Sequence, residues 1–339
     1  MSASPVARAI ASALDWLAGS QLPSGEFRTY ASPDPNMEGG CRFDSSPFAT
    51  SLVLYALGFV DDPRARSMAA RGLDFLASEM EGPGLWRYWS SRNPRHRQLP
   101  PDLDDICCIS HVLKAAGREL PANREIVLAN RDEAGAFYTW LAPRTTTPAE
   151  LARTINHLVG AETLLAVLLS GTANDVDCAV NANVLLYLGE GEETRGAIAY
   201  LLGVVRDGRE KECNHFYPDL PAFYYVLSRA CFNGVSALAP TRGPVLGRLL
   251  PLQQGDGSFG GALNTALAAC TLLNLNEQTQ ALHRAVEHLL ATQRHDGSWP
   301  RQPLFLGPAP YYGSEELTTA FCLEALSRYS PDILTRPGA

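Results

Sequence analysis

A turn of the form Gln-x3-Gly-x-aromatic recurs along this sequence, and recurrence of that kind points to a repeat architecture before any single residue is considered. It runs Gln21-Leu-Pro-Ser-Gly25-Glu-Phe27, returns as Gln253-Gln-Gly-Asp-Gly257-Ser-Phe259, and returns again as Gln293-Arg-His-Asp-Gly297-Ser-Trp299. Degenerate copies lie at Gly84-Leu-Trp86 and Gly135-Ala-Phe137. Each copy follows a helical pattern, at residues 5–20, 63–80, 122–130, 242–254 and 278–293. In the last of these, Leu282, Val286, Leu289 and Leu290 form an apolar stripe at helical spacing. The glycine is expected to end the helix in a left-handed conformation, and the aromatic to pin the loop onto its neighbour.

A second set of helices follows the turns, at 44–59, 102–117, 175–189, 216–232, 261–275 and 314–328. These segments are apolar on all sides, which suits an inner layer rather than a surface. Alternation of outer and inner helices predicts an all-α fold, an (α/α)6 toroid of six outer–inner pairs, as a single domain over residues 1–339. Hydrophobic residues make up 46% of the chain, enough for a core of that size. Residues 141–172 hold an extra helix-sized segment, read either as an insertion over the mouth of the ring or as the third outer helix.

The net charge of −8 argues against nucleic acid as a partner, because phosphate binding needs concentrated Lys and Arg. No apolar run is long enough to span a bilayer. The N-terminus lacks the pattern of a signal peptide, so a cytoplasmic protein is expected, peripheral membrane contact remaining compatible with the sequence. The eight cysteines sit mostly in apolar stretches and read as buried reduced thiols; without a C-x-x-C, no metal site is expected from them.

Chemistry enters at Asp102-Leu103-Asp104-Asp105, a D-x-D-D cluster opening the second inner helix. Burial and mutual repulsion raise the pKa of clustered carboxyls, and a helix N-terminus can receive the charge left when a proton departs. The competing reading is a cap: Asp102 follows Pro101 and precedes an apolar run, so it could serve as N-cap with Asp105 three residues on. That leaves Asp104 unexplained. The Gln-x3-Gly-x-Trp turns and this cluster resemble the QW motifs and the D-x-D-D acid of squalene-hopene cyclases and related class II terpene cyclases. The resemblance implies that Asp104 donates a proton to an alkene or epoxide while Asp102 and Asp105 orient it. The Thr-Ala that often follows the motif in that family is replaced here by Ile106-Cys107.

A second polar group, Asp177 and Asn181, opens the third inner helix; it would join the site if it faced inward, and would otherwise cap the helix and tie it to its neighbours. Aromatic faces stabilise carbocations without trapping them. Trp86, Trp89, Phe137, Tyr224 and Tyr312, all near turn-to-helix junctions, are the candidate cavity wall. The basic loop Ser91–Gln98 could hold a diphosphate at the mouth or could be solvated. No cofactor is needed for protonation; Mg2+ would enter only with a diphosphate substrate. The expected partner is a hydrophobic isoprenoid or a prenylated small molecule. Two-domain relatives close their cavity between domains, so closure here would fall to the 141–172 segment or to a homodimer. Two alternatives remain open. One is a prenyltransferase of the same fold, although the Asp-x-Cys of its zinc site is missing because Asp177 and Cys178 are adjacent. The other is a non-catalytic toroid that binds a lipid or a protein.

Overall fold

A computed structural model describes residues 4–120, 122–141, 175–306 and 309–330. The helices, in chain order, are α1 (Pro5–Ser20), α2 (Pro47–Leu57), α3 (Pro63–Ser78), α4 (Leu103–Ala115), α5 (Arg124–Ala129), α6 (Cys178–Leu188) and α7 (Arg195–Asp207). They continue with α8 (Glu210–Cys213), α9 (Leu220–Phe232), α10 (Arg242–Leu249), α11 (Ala262–Asn274), α12 (Gln280–Thr292) and α13 (Glu315–Arg328). The protein is an all-α toroid. Its inner wall is the closed circuit α2, α4, α6, α9, α11, α13 and back to α2, each helix packed on the next. Every residue of α2 is buried, and all but one of α11, as a helix with neighbours on all sides requires. The outer helices α1, α3, α7 and α12 bury only one stripe each; in α12 it is Leu282, Ala285, Val286 and Leu289.

The recurrent turn works differently from the sequence expectation. The helix stops one residue before the glutamine, which adopts an extended conformation in all three full copies. The left-handed glycine comes four residues later, with φ of 91°, 86° and 94° at Gly25, Gly257 and Gly297. The glutamine Nε2 then donates twice: to the carbonyl of that glycine, and to a carbonyl in the next outer helix. Gln21 reaches Met68 (3.0 Å), Gln253 reaches Ala281 (2.8 Å), and Gln293 reaches Ala9 (2.9 Å), which joins the last outer helix to the first. Glycine is required at Gly297 because a Cβ there would lie 2.3 Å from the carbonyl oxygen of Ser12. The backbone N–H of the aromatic residue closes the repeat by donating to a threonine hydroxyl of the inner helix: Phe27 to Thr50, Phe259 to Thr265 and Trp299 to Thr319, at 2.9–3.1 Å.

One outer helix, α7, escaped the sequence reading because no Gln-x3-Gly-x-aromatic turn follows it; it ends instead at left-handed Gly208. A small sheet was also not foreseen. It comprises β1 (Tyr30–Ser32), β2 (Arg42–Phe43), β3 (Pro303–Phe305) and β4 (Tyr311–Gly313), in the order β2-β1-β4-β3 and antiparallel throughout. Tyr30 pairs with Gly313 and Ser32 with Tyr311, so first and last repeats are stitched together at one rim. The cysteines are not all reduced: Cys178 and Cys213 form a disulfide that fastens the start of α6 to α8. The expectation for residues 141–172 falls, beyond Leu141, outside the described residues. No described helix is long and apolar enough to cross a membrane.

Candidate active site

Asp102 is the N-cap of α4, and its Oδ1 accepts the backbone N–H of Asp105 at 2.8 Å, so the capping reading of this residue holds. It does not remove Asp102 from the site. Asp102, Asp104 and Asp105 all border one cavity of about 200 Å3, at the end of the ring where the inner helices begin. The first turn of α4 thus presents three carboxyls and its positive dipole end to the same space. Phe48 opens α2 and Val180 lies in the first turn of α6, both on this wall. The remainder is largely aromatic: Tyr88, Trp89, Trp140, Phe216, Tyr217, Phe305 and Tyr312. The sheet supplies part of it, with Phe305 and Tyr312 stacked at 5.7 Å and Tyr88 edge-on to both.

Asp104 keeps part of its surface open to the cavity, while Asp102 and Asp105 are buried. Both Asp104 oxygens are occupied. Oδ1 accepts the amide Nδ2 of Asn183 at 2.5 Å, and Oδ2 accepts the hydroxyl of Tyr217 at 2.5 Å. Burial pushes the Asp104 carboxyl above its ordinary range, and the Tyr217 hydroxyl, the Asn183 amide and the Arg229 charge pull it back. Asp105 is held well above the carboxylate range by burial and then by the adjacent Asp102; its Oδ2 has no hydrogen-bond partner among the described residues. Asp102 is raised too, by burial first and by Asp104 second. Carboxyls this close cannot all ionise, so the cluster retains protons at neutral pH. The donors on Asp104 favour its carboxylate, which makes it the member of the cluster best suited to release a proton.

Of the aromatic residues expected from sequence, Trp89 and Tyr312 reach this cavity. Trp86, Phe137 and Tyr224 do not; they are fully buried in the core. The Trp86 indole donates to Leu76 O at 2.8 Å, and the Tyr224 hydroxyl to Glu210 at 3.3 Å. Asn181 exchanges hydrogen bonds with the backbone of Phe137 at 2.8 and 2.9 Å. Accepting the Phe137 N–H, it occupies the place that threonine takes in the three full copies of the turn. Asp177 caps α6, accepting from Ala179 and Val180, and its second oxygen takes the His215 N–H at 2.6 Å. His111 bonds Leu186 O, two turns from the acids.

The residues missed were Asn183, Tyr217 and Arg229. Asn183 lies two positions from Asn181 on the same helix and faces the other way. The basic loop borders a separate open cleft of about 860 Å3 with Arg42, Arg92 and Arg95 on its walls. Arg95 is paired with buried Asp44 at 2.5 Å and lies over the Trp89 ring at 4.5 Å, so Trp89 forms a partition between cleft and cavity. Among the described residues no group of His, Cys, Asp and Glu converges as a metal site would require.

No family model matches the sequence, and no curated protein matches it. Solved structures do. A protein from Actinoplanes superposes with a TM-score of 0.70 at 18% identity, covering 95% of this chain and 99% of its own. A variant of the type II terpene cyclase MstE from Scytonema, in complex with its substrate geranylgeranyl dihydroxybenzoate, gives 0.68 at 16% identity over 96% and 97% of the two chains. The ent-copalyl diphosphate synthase from Streptomyces platensis gives 0.59 at 19% identity, covering 83% of this chain and 50% of that one. The chain therefore has the toroid fold of type II terpene cyclases. A heparin-specific unsaturated glucuronyl hydrolase shares the ring more distantly, with a TM-score of 0.57 and 11% identity, so fold alone does not choose the chemistry.

Proposed function

We propose that this chain is a class II-type terpene cyclase in which Asp104 protonates a linear isoprenoid or a prenylated small molecule. The observation that carries the reading is the meeting, in one cavity, of a raised and doubly hydrogen-bonded Asp104 with a predominantly aromatic wall. In the first step the Asp104 O–H bond breaks as the alkene π electrons form a new C–H bond, leaving a tertiary carbocation. The Tyr217 and Asn183 donors and the α4 N-terminus stabilise the carboxylate left behind. The faces of Trp89, Tyr88, Phe305 and Tyr312 attract the cation without bonding to it. Successive attack by neighbouring alkenes closes rings, and loss of a C–H proton ends the sequence with no net change in composition.

The structural neighbour with geranylgeranyl dihydroxybenzoate motivates a substrate with a polyprenyl chain and a polar head. The apolar cavity fits the reacting end of such a chain, and the arginine-lined cleft beyond Trp89 fits its head. A sugar hydrolase would need a polar cleft around its carboxyls, and the space around Asp104 is mainly aromatic and aliphatic. A prenyltransferase site would need a free thiol near Asp177, and Cys178 is bonded to Cys213.

The test is cyclisation in D2O of linear isoprenoids, with and without a diphosphate. Protonation from an exchangeable carboxyl places one solvent deuterium on the cyclised product and releases no diphosphate. A cyclic product that lacks solvent deuterium would overturn the reading.

A further inference from the structure

Arg229, in the last turn of α9, is fully buried, and a cation in that position requires compensation. Among the described residues no carboxylate lies within ion-pair distance of it. Its guanidinium sits over the rings of Tyr55 at 5.0 Å and Tyr225 at 5.3 Å. One Nη donates to Asn183 Oδ1 at 2.6 Å and to the Cys108 sulfur at 3.4 Å, while Nε has no hydrogen-bond partner among the described residues. Asn183 is fully buried as well, and its amide is used at both ends: the oxygen faces Arg229 and the nitrogen faces Asp104. The order is therefore cation, amide, carboxyl, carried by three inner helices, α9, α6 and α4, that the ring brings together.

An amide is the group that can transmit a charge in this way. A cation at its oxygen draws electrons from its nitrogen and strengthens the N–H it donates. The orientation of Asn183 is fixed by its partners, since Arg229 can only donate and so must meet the oxygen. A hydrogen bond polarised towards Asp104 favours the carboxylate over the protonated acid.

We propose that Arg229 is a positioning residue for the acid: through Asn183 it orients the Asp104 carboxyl and stabilises its conjugate base. The other titratable groups around Asp104 are Asp102, Asp105, Cys107 and Cys108 on α4, Asp177 on α6 and Tyr217 before α9, and none of them supplies positive charge. Among the described residues Arg229 is the cation that acts on Asp104, and with the Tyr217 and Asn183 donors it opposes the effect of burial. Burial shifts the balance towards the protonated acid, and the buried cation makes the departure of the proton easier. The catalytic role of Asp104 rests on the cyclase reading; its linkage to Arg229 does not.

The experiment follows the Asp104 carboxyl directly. The infrared C=O stretch of protonated Asp104 is identified by difference against Asp104→Asn and titrated in the full-length protein without substrate. Arg229→Met retains much of the side chain's volume and removes the charge; Asn183→Leu leaves the cation in place and cuts its connection. Both variants should move the midpoint of the Asp104 band upward by about one pH unit, the low end of the range for a nearby opposite charge, because the charge acts through an intervening amide. A purely structural role would lower the melting temperature and leave the midpoint where it is. Folded variants that titrate with the wild-type midpoint would overturn the proposal. Should Arg229→Met fail to fold, Arg229→Gln, which removes the charge and keeps a donor for the Asn183 oxygen, decides. An absence of cyclisation by the wild-type protein would count against the cyclase reading and leave this titration unaffected.

Discussion

Tyr217→Phe removes one oxygen atom from the site and nothing else that packs. The ring, edge-on to Phe305 at a centroid distance of 6.5 Å, keeps that contact as phenylalanine. Lost is the hydroxyl that donates to Asp104 Oδ2 at 2.5 Å, the strongest of the influences that lower the Asp104 pKa. A hydrogen bond to a charged group contributes about 1.5–3 kcal/mol, and each pKa unit corresponds to about 1.4 kcal/mol, so the Asp104 pKa should rise by about one to two units. The carboxylate forms as the proton leaves, so the loss falls on the transition state: kcat should drop about 10–100-fold with little change in KM. Activity requires protonated Asp104 and is lost as pH rises through its pKa. The variant's alkaline limb should therefore move to higher pH while its plateau falls. Steady-state rates measured across pH give both. An unchanged plateau and limb, or a limb displaced to lower pH, would refute the reasoning.

Gly297→Ala should destabilise the ring by about 2–4 kcal/mol in urea unfolding, from left-handed strain and contact with the backbone of α1. Gly19→Ala, in α1 with nothing within 4 Å of its new methyl, should be neutral or stabilising by up to about 1 kcal/mol; equal effects at the two positions would contradict the role given to the turn. Asp177 is raised from 3.8 to about 7, chiefly by burial, so its contribution to stability is fully present below about pH 4 and is lost as pH rises through about 7. Comparing Asp177→Asn with wild type at pH 5 and pH 8 should show the variant gaining relative stability by on the order of a few kcal/mol; a difference that does not vary with pH would exclude a raised Asp177.

The ring was legible in the sequence because the turn has strict local requirements: a glycine at positive φ and a glutamine long enough to reach the next helix. Helix α7 was not, since the same structural step there ends on Gly208 without a glutamine or an aromatic. The D-x-D-D cluster could be read, as could the capping of α4 by Asp102, because both depend on residues three apart in one chain segment. Asn183, Tyr217 and Arg229 are 79, 113 and, through Asn183, a further 46 residues away in sequence from the group they influence. Only ring closure makes them neighbours. A signal for Arg229 did exist, as the one basic residue in the otherwise largely apolar run Leu220–Phe232. Trp86 and Phe137 were misplaced on a cavity wall for a related reason: the turn aromatic that follows the glycine packs into the core between layers, and residues beyond it, such as Trp89 and Trp140, reach the cavity.

Asp104→Asn removes the proton on which the cyclase mechanism depends. The replacement is nearly isosteric and leaves the α4 cap on Asp102 intact. The new amide oxygen can still accept from Asn183, and the new NH2 can donate to the Tyr217 hydroxyl oxygen, so the melting temperature should change little. Turnover of a cyclised isoprenoid should fall by about 10²–10⁴-fold or more, the range for loss of a general acid, because an alkene is too weak a base for water to take over. Asp102→Ala should instead cost about 0.5–2 kcal/mol of stability through the lost cap. An Asp104→Asn protein that folds and cyclises its substrate at the wild-type rate would contradict the account.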